Sequence, residues 1–352
     1  MNKGVKMRMK SLLPACVLAV MLASPALAAV SGECVNCHTM HNSQDGSSMR
    51  FDDDIEPAEM LLKTSACGGC HADVSFGEMG FPQVALSDKP LAGGSFYWVM
   101  QGDDTKGHNV KDLNIGVDRA LDTFPPGYDP TWDVPGDRDW NQEQLTCAGT
   151  VGCHGDRTKS SPFLAVKGAH HANSQVDITR LNEPAYAYRF LVGIYGFEDS
   201  DWEKTKGPNN HNYYYGYPRS EGRTIGNSIT ISAFCGQCHG QYHMVEGIAR
   251  EDSFQSPWLR HPTDIDMRTL GDDTEYAAYT YSTDVPVATE FYFANGVDDT
   301  VYDESAIVMC LSCHRAHGSA YDDLLRWEYS TMEAAKGHNP YGCFACHTTK
   351  DN

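Results

Sequence analysis

After its first 28 residues, this chain of 352 has no apolar run approaching the ~20 residues that a membrane span requires. It is also poor in positive charge, with 27 lysines and arginines against 47 aspartates and glutamates. Four of the 27 lie in the opening segment, so the remainder carries 23 basic groups and a net charge of about −24. That balance argues against nucleic acid and anionic membrane surfaces, both of which demand basic patches. It favours solubility and cationic or mineral partners. Sustained 3.6- or 2-residue periodicity is missing between the cysteines, so long helices and regular sheets are not expected. Acidic runs such as Asp52-Asp53-Asp54 and Asp272-Asp273 read as solvated loops and not as calcium sites.

What is present begins with a secretory leader. Lys3, Lys6, Arg8 and Lys10 form a basic start, residues 11–24 are mostly apolar, and Ala26-Leu27-Ala28 is a small-x-small cleavage site. Residues 1–28 are therefore read as a signal peptide and 29–352 as a single domain. Cys16 lies too early in the apolar segment for a lipid-attachment box. The destination expected is the cell surface or the extracellular medium, with the periplasm as the alternative.

Of thirteen cysteines, the twelve beyond Cys16 resolve into six pairs. Five follow C-x-x-C-H: Cys34/Cys37 with His38, Cys67/Cys70 with His71, Cys235/Cys238 with His239, Cys310/Cys313 with His314, and Cys343/Cys346 with His347. This spacing is that of covalent c-type haem attachment, in which two thiols fix the porphyrin edge and the following imidazole takes an axial position on the iron. Residues i, i+3 and i+4 share one side of a helical turn, so the motif can be read locally. The remaining pair, Cys147/Cys153 with His154, holds five residues between its cysteines instead of two. Its extra loop must bulge from the haem edge, which the small residues Ala148, Gly149 and Gly152 permit. A Cys147–Cys153 disulfide is the bland alternative. Structural zinc would not require a histidine after every second cysteine, whereas six of six have one. The expectation is six covalently bound haem c groups, the third irregular.

Fifteen histidines supply more than these six. His41, His108, His170, His171, His211, His243, His261, His317 and His338 remain, and six second ligands would saturate every iron without methionine. With about 324 residues for six haems, roughly 54 each, too little chain is available to bury the porphyrins beneath regular layers. The fold expected is that of a multihaem cytochrome c, mostly coil with short helices and few strands, in which the haem faces form much of the core. Locally, residues 96–100 suggest a short strand, 185–197 a helix, and Tyr213-Tyr214-Tyr215-Gly216-Tyr217 a surface loop with stacked rings. The acidic, tyrosine-rich segment 263–305 carries no chemistry that can be read from its residues.

The sequence resembles the extracellular hexahaem c-type cytochromes of metal-respiring bacteria, which polymerise into conducting filaments. The resemblance is carried by residues 33–43, Lys106-Gly107-His108-Asn109, 235–243, Leu259-Arg260-His261-Pro262, residues 310–317 and the short tail after His347. It implies bis-histidine haems in a continuous row. The second ligands it implies are His41, His108, His243, His261 and His317, with His41 serving the haem on Cys310/Cys313 of a neighbouring subunit. Gly155-Asp156-Arg157 stands where the family has a further histidine, and His170 or His171 replaces it, His171 being preferred. His211 and His338 are left over. The function expected is long-range electron transfer outside the cell by a head-to-tail homopolymer, not an enzyme, exchanging electrons with other cytochromes or with metal or mineral acceptors. The rival readings are a monomeric periplasmic or surface carrier and a multihaem reductase with an open iron.

Overall fold

The computed structural model describes residues 33–41, 43–44, 47–48, 62, 66–73, 80–87, 90–118, 124–128, 143–172, 175–218, 228–243, 261–291, 298–337 and 340–351. The leader, Cys16, Asp52-Asp53-Asp54 and His338 lie outside these residues. Coil dominates, as the missing periodicity predicts. The longest helix described, Ile231–Gly236, has six residues, and no helix among the described residues is long and apolar enough to cross a membrane.

Nine short strands occur among the described residues. β1 (Ser43–Gln44) and β2 (Ser47–Ser48) make a small hairpin, and β3 (Thr146–Ala148) pairs in parallel with β4 (Gly152–His154). The others are β5 (Gly196–Phe197), β6 (Tyr213–Tyr215), β7 (Ile265–Asp266), β8 (Ala288–Thr289) and β9 (Ile307–Val308). They form a five-stranded mixed sheet in the order β5-β6-β8-β9-β7.

This sheet overturns one expectation. Tyr213-Tyr214-Tyr215 is no surface loop; all three side chains are buried in the second strand of the sheet. Tyrosine tolerates this because its ring is a large apolar surface, provided the hydroxyl finds a partner. The Tyr213 hydroxyl donates to Asp299 at 3.0 Å, and its ring lies parallel to that of Tyr302, which stacks on Tyr281 with centroids 4.1 Å apart.

Two further local expectations are corrected. Residues 97–100 form a helical turn whose first N–H is bonded to the Ser95 hydroxyl at 3.1 Å. Segment 185–197 is broken into 3₁₀ turns at Pro184–Tyr186 and Tyr188–Phe190 before it enters β5. Arg189 and Phe190 cause the break, with φ of 48° and 60°, a left-handed pair that no continuous right-handed helix accommodates. The guanidinium of Arg189 stabilises the turn by donating to the Asp199 carbonyl at 2.7 Å and the Asn212 side chain at 2.6 Å.

Apolar packing is divided among several clusters that reach the attachment cysteines. Cys147 packs against Phe96, Val99, Val110, Leu113 and Ile115. Cys313, Cys343 and Cys346 pack around Val285, Trp327 and Ala345. The core is thus gathered at the cysteine pairs and not beneath a single regular layer.

Candidate haem-binding centres

Each regular motif closes one turn in the same way. The His N–H donates to the carbonyl of the first cysteine: His38 to Cys34 at 2.9 Å, His71 to Cys67 at 3.0 Å, His239 to Cys235 at 3.0 Å, His314 to Cys310 at 3.1 Å and His347 to Cys343 at 3.0 Å. This i+4 bond sets both thiols and the imidazole on one side of the turn. The N–H of the second cysteine shares that carbonyl for Cys37 on Cys34 at 3.1 Å, Cys70 on Cys67 at 3.2 Å, Cys238 on Cys235 at 3.2 Å and Cys346 on Cys343 at 3.3 Å. Cys238 is half-buried beside Cys235, where attachment at the fourth site requires it.

The wide motif replaces the helical turn with a ribbon. Cys147 lies in β3 and Cys153 in β4, and the loop between them turns at Gly149 with φ of 93°. A Cβ on Gly152 would stand 2.3 Å from the Ala148 backbone, so the small residues here are a steric requirement. Both cysteines are thiols, and no disulfide joins them.

The motif histidines are oriented from behind. Nδ1 of His71 faces the Pro82 carbonyl at 3.0 Å, that of His154 the Arg189 carbonyl at 2.8 Å, that of His239 the Pro126 carbonyl at 2.7 Å, and that of His314 the Asp323 carbonyl at 2.7 Å. A carbonyl can only accept, so Nδ1 carries the proton and Nε2 keeps its lone pair for a metal. Two of these carbonyls belong to strained turns, Arg189-Phe190 and Asp323-Leu324, in which all four residues have φ between 48° and 60°. Both turns present their carbonyls to an imidazole.

On the open side, other histidines stand opposite. Ring centroids are 6.0 Å apart for His38 and His171, 6.3 Å for His71 and His170, 6.3 Å for His154 and His317, 6.2 Å for His239 and His108, and 6.1 Å for His347 and His261. Rings in direct contact lie closer, as at 4.3 Å for His211 and Tyr281. Two imidazoles sharing one metal, each with a bond of about 2 Å and about 1.1 Å from nitrogen to ring centre, require roughly 6.2 Å. The five gaps fit an iron held from both sides, and each joins a motif histidine to one outside a motif.

Burial lowers the imidazole pKa values at these gaps. His71, His108 and His154 are lowered chiefly by desolvation. Desolvation, reinforced by neighbouring histidines, pushes His170 and His239 down to about 4 and His317 to about 3. The rings are therefore neutral near pH 7, the form a metal ligand needs.

The remaining histidines divide clearly. His41 and His314 are exposed, and among the described residues no histidine ring stands opposite either. Met40, next to His41 in the chain, is likewise exposed, as is Val35. His211 is buried against Asp299, at 2.8 Å from Nε2, and against the Tyr281 hydroxyl, at 2.8 Å from Nδ1. His243, expected opposite a haem, instead directs Nε2 to Asp264 at 2.7 Å, with both side chains almost wholly buried. Asp264 lies in the segment that carried no readable chemistry. A buried carboxylate needs such a partner.

Cysteines of adjacent sites lie near one another. Burial and the neighbouring Cys37 and Cys67 push the Cys70 thiol up to about 11. Cys147 is raised by its hydrogen bond to Cys67, and Cys235 by its bond to Cys310, with Cys153 and its own motif partner Cys238 adding to the latter. Burial followed by Cys343 and Cys346 pushes Cys313 up to about 12. After haem attachment these sulfurs would be thioethers, and the same neighbours would stay beside them. They link site one to two, two to three, three to four, four to five and five to six. Cys67, Asp112 and Cys147 bring their ligand atoms within 4.8 Å of one another, which marks the junction of the second and third sites.

Comparison with known proteins agrees with the motifs. The doubled CXXCH motif family matches residues 305–352. The C-type cytochrome OmcS of Geobacter sulfurreducens is 27% identical, over 97% of this chain and 90% of that protein. Two solved structures are also similar. One is of OmcS nanowires, at 22% identity and a TM-score of 0.44 over 88% of this chain and 86% of that one. The other is of the outer membrane cytochrome S filament, at 19% identity and a TM-score of 0.38 over 92% and 93%.

Proposed function

We propose that this protein is an extracellular electron-transfer cytochrome, not an enzyme, which binds six haem c groups and assembles head to tail. The observation that carries the proposal is the histidine arrangement: among the described residues, five gaps of one width are complete within the chain, and two exposed histidines are left for each other in different copies. The similarity to the C-type cytochrome OmcS supports the same reading.

In this reading the six cysteine pairs hold the porphyrin edges. His38/His171, His71/His170, His154/His317, His239/His108 and His347/His261 hold five irons from both faces. His314 holds the sixth iron from one face, and His41 of the next subunit completes it. When bound, haem c supplies reversible one-electron storage at its iron. The chain's own residues keep each imidazole neutral and correctly turned, and keep neighbouring sites close enough for transfer in order from one to six. Two imidazoles on each iron leave no position for a substrate, which separates this reading from a reductase. A contact between one end of a subunit and the other end of the next does not close, so it builds a filament. The net charge of about −24 keeps such a polymer soluble.

Sedimentation of the purified, haem-loaded protein tests the assembly. The expected result is a concentration-dependent series of polymers. A single species with the mass of one chain would establish a monomeric carrier instead.

A further inference from the structure

His347 is oriented by a different kind of group from four other motif histidines. His71, His154, His239 and His314 all turn Nδ1 to neutral main-chain carbonyls. His347 turns Nδ1 to the carboxylate of Glu275, whose Oε1 lies 3.2 Å away. Glu275 opens a 3₁₀ turn, Glu275–Ala278, and its side chain is only 11% exposed. The residues immediately after His347 clamp it. The Thr349 hydroxyl donates to Oε2 at 2.7 Å, the Thr349 N–H to the same oxygen at 3.3 Å, and the Thr348 hydroxyl to the Glu275 carbonyl at 2.8 Å. Lys350 Nζ stands 3.8 Å from Oε1. The Tyr276 ring meets that of His347 edge-on at 5.4 Å, closing one side.

A carboxylate accepts the Nδ1 proton more strongly than a carbonyl does, since it brings a full charge. It draws the imidazole toward the imidazolate and makes Nε2 a stronger electron donor. A stronger donor stabilises the oxidised metal over the reduced one, so second-shell hydrogen bonding tunes a haem potential.

We propose that Glu275 is a positioning residue that lowers the reduction potential of the haem held by Cys343, Cys346, His347 and His261. This rests on the ligand reading above. It makes the sixth site electronically distinct from the four whose motif imidazole leans on a carbonyl.

The test is Glu275→Gln in the haem-loaded protein, an isosteric change that keeps an oxygen beside Nδ1 and removes the charge. Optical spectroelectrochemical titration of wild type and variant is the readout. The expected result is that one of the six redox components shifts to a more positive potential while the other five superimpose. Superimposable curves for all six, with six low-spin haems in both proteins, would overturn the role of Glu275 alone. Fewer than six haems, or a high-spin sixth site in the wild type, would overturn the ligand reading and this proposal with it.

Discussion

The adjacent histidines His170 and His171 offer the sharpest quantitative check on the ligand set. His171 stands 6.0 Å from His38 and His170 stands 6.3 Å from His71, so the doublet serves two different sites. Replacing either by alanine strips one iron of its second imidazole. The neighbour cannot compensate, because its own ring is committed to the other gap. An iron with an open position binds carbon monoxide when reduced, whereas a bis-imidazole iron does not bind it readily. In the assembled protein, His170→Ala should therefore bind carbon monoxide at one-sixth of its haem, about 17% of the total, and His171→Ala at the same fraction but at a different haem. The double variant should reach one-third. His243→Ala should bind none beyond wild type, since that imidazole faces Asp264. The assay is the optical difference spectrum of the reduced protein with and without carbon monoxide, scaled to total haem. Binding by His243→Ala at one-sixth, with His170→Ala silent, would refute the assignment and restore the alternative in which His243 is a ligand.

Two other outcomes follow from the same geometry. Gly152→Ala should cost the third site its haem, because the added Cβ falls 2.3 Å from the Ala148 backbone; intact mass should show five haems and not six. Acid should loosen the fold over a defined window. The folded pKa values of His170, His239 and His317 lie below the ordinary 6.5, at about 4, 4 and 3, so the unfolded chain binds protons first. Stability is then fully present above pH 6.5, falls by about 1.4 kcal/mol per pH unit for each imidazole between pH 6.5 and its folded value, and falls no further below about pH 3. In the chain before haem is attached, intrinsic tryptophan fluorescence during acid titration reads this loss, and a signal that already falls above pH 7 would contradict it.

The parts of the site legible in the sequence are those whose geometry is local. Cys34, Cys37 and His38 are brought together by one turn of backbone, and the same holds for Cys235, Cys238 and His239 and the other regular motifs, so spacing alone announces them. Even the wide site could be read, since Ala148, Gly149 and Gly152 signal a bulge. The second histidines are another matter. His38 and His171 are distant in the chain, and no window of sequence states that they meet. Counting supply against demand names a pool of nine but says nothing of which rings the fold brings together: His170 stands opposite His71, whereas His243 meets Asp264, a residue without a motif. Glu275 escaped the sequence reading for the same reason: it is one acidic residue among many in 263–305 until the fold brings it to His347. The tyrosine run was misjudged because the sheet that buries it is assembled from strands of two and three residues, too short to leave a periodic trace. In this chain the haem sites specify the fold more than secondary structure does, and long-range pairing is where local reading stops.

The central claim is that one haem site is shared between subunits, and it stands on His41. Within the chain, His41 and His314 are both exposed, and no histidine faces either among the described residues. The measurement is electron microscopy of His41→Ala beside wild type, with haem content determined on the same samples. Six haems are expected in both proteins, with filaments from the wild type and only short or single particles from the variant. Intact filaments built from His41→Ala would contradict the claim.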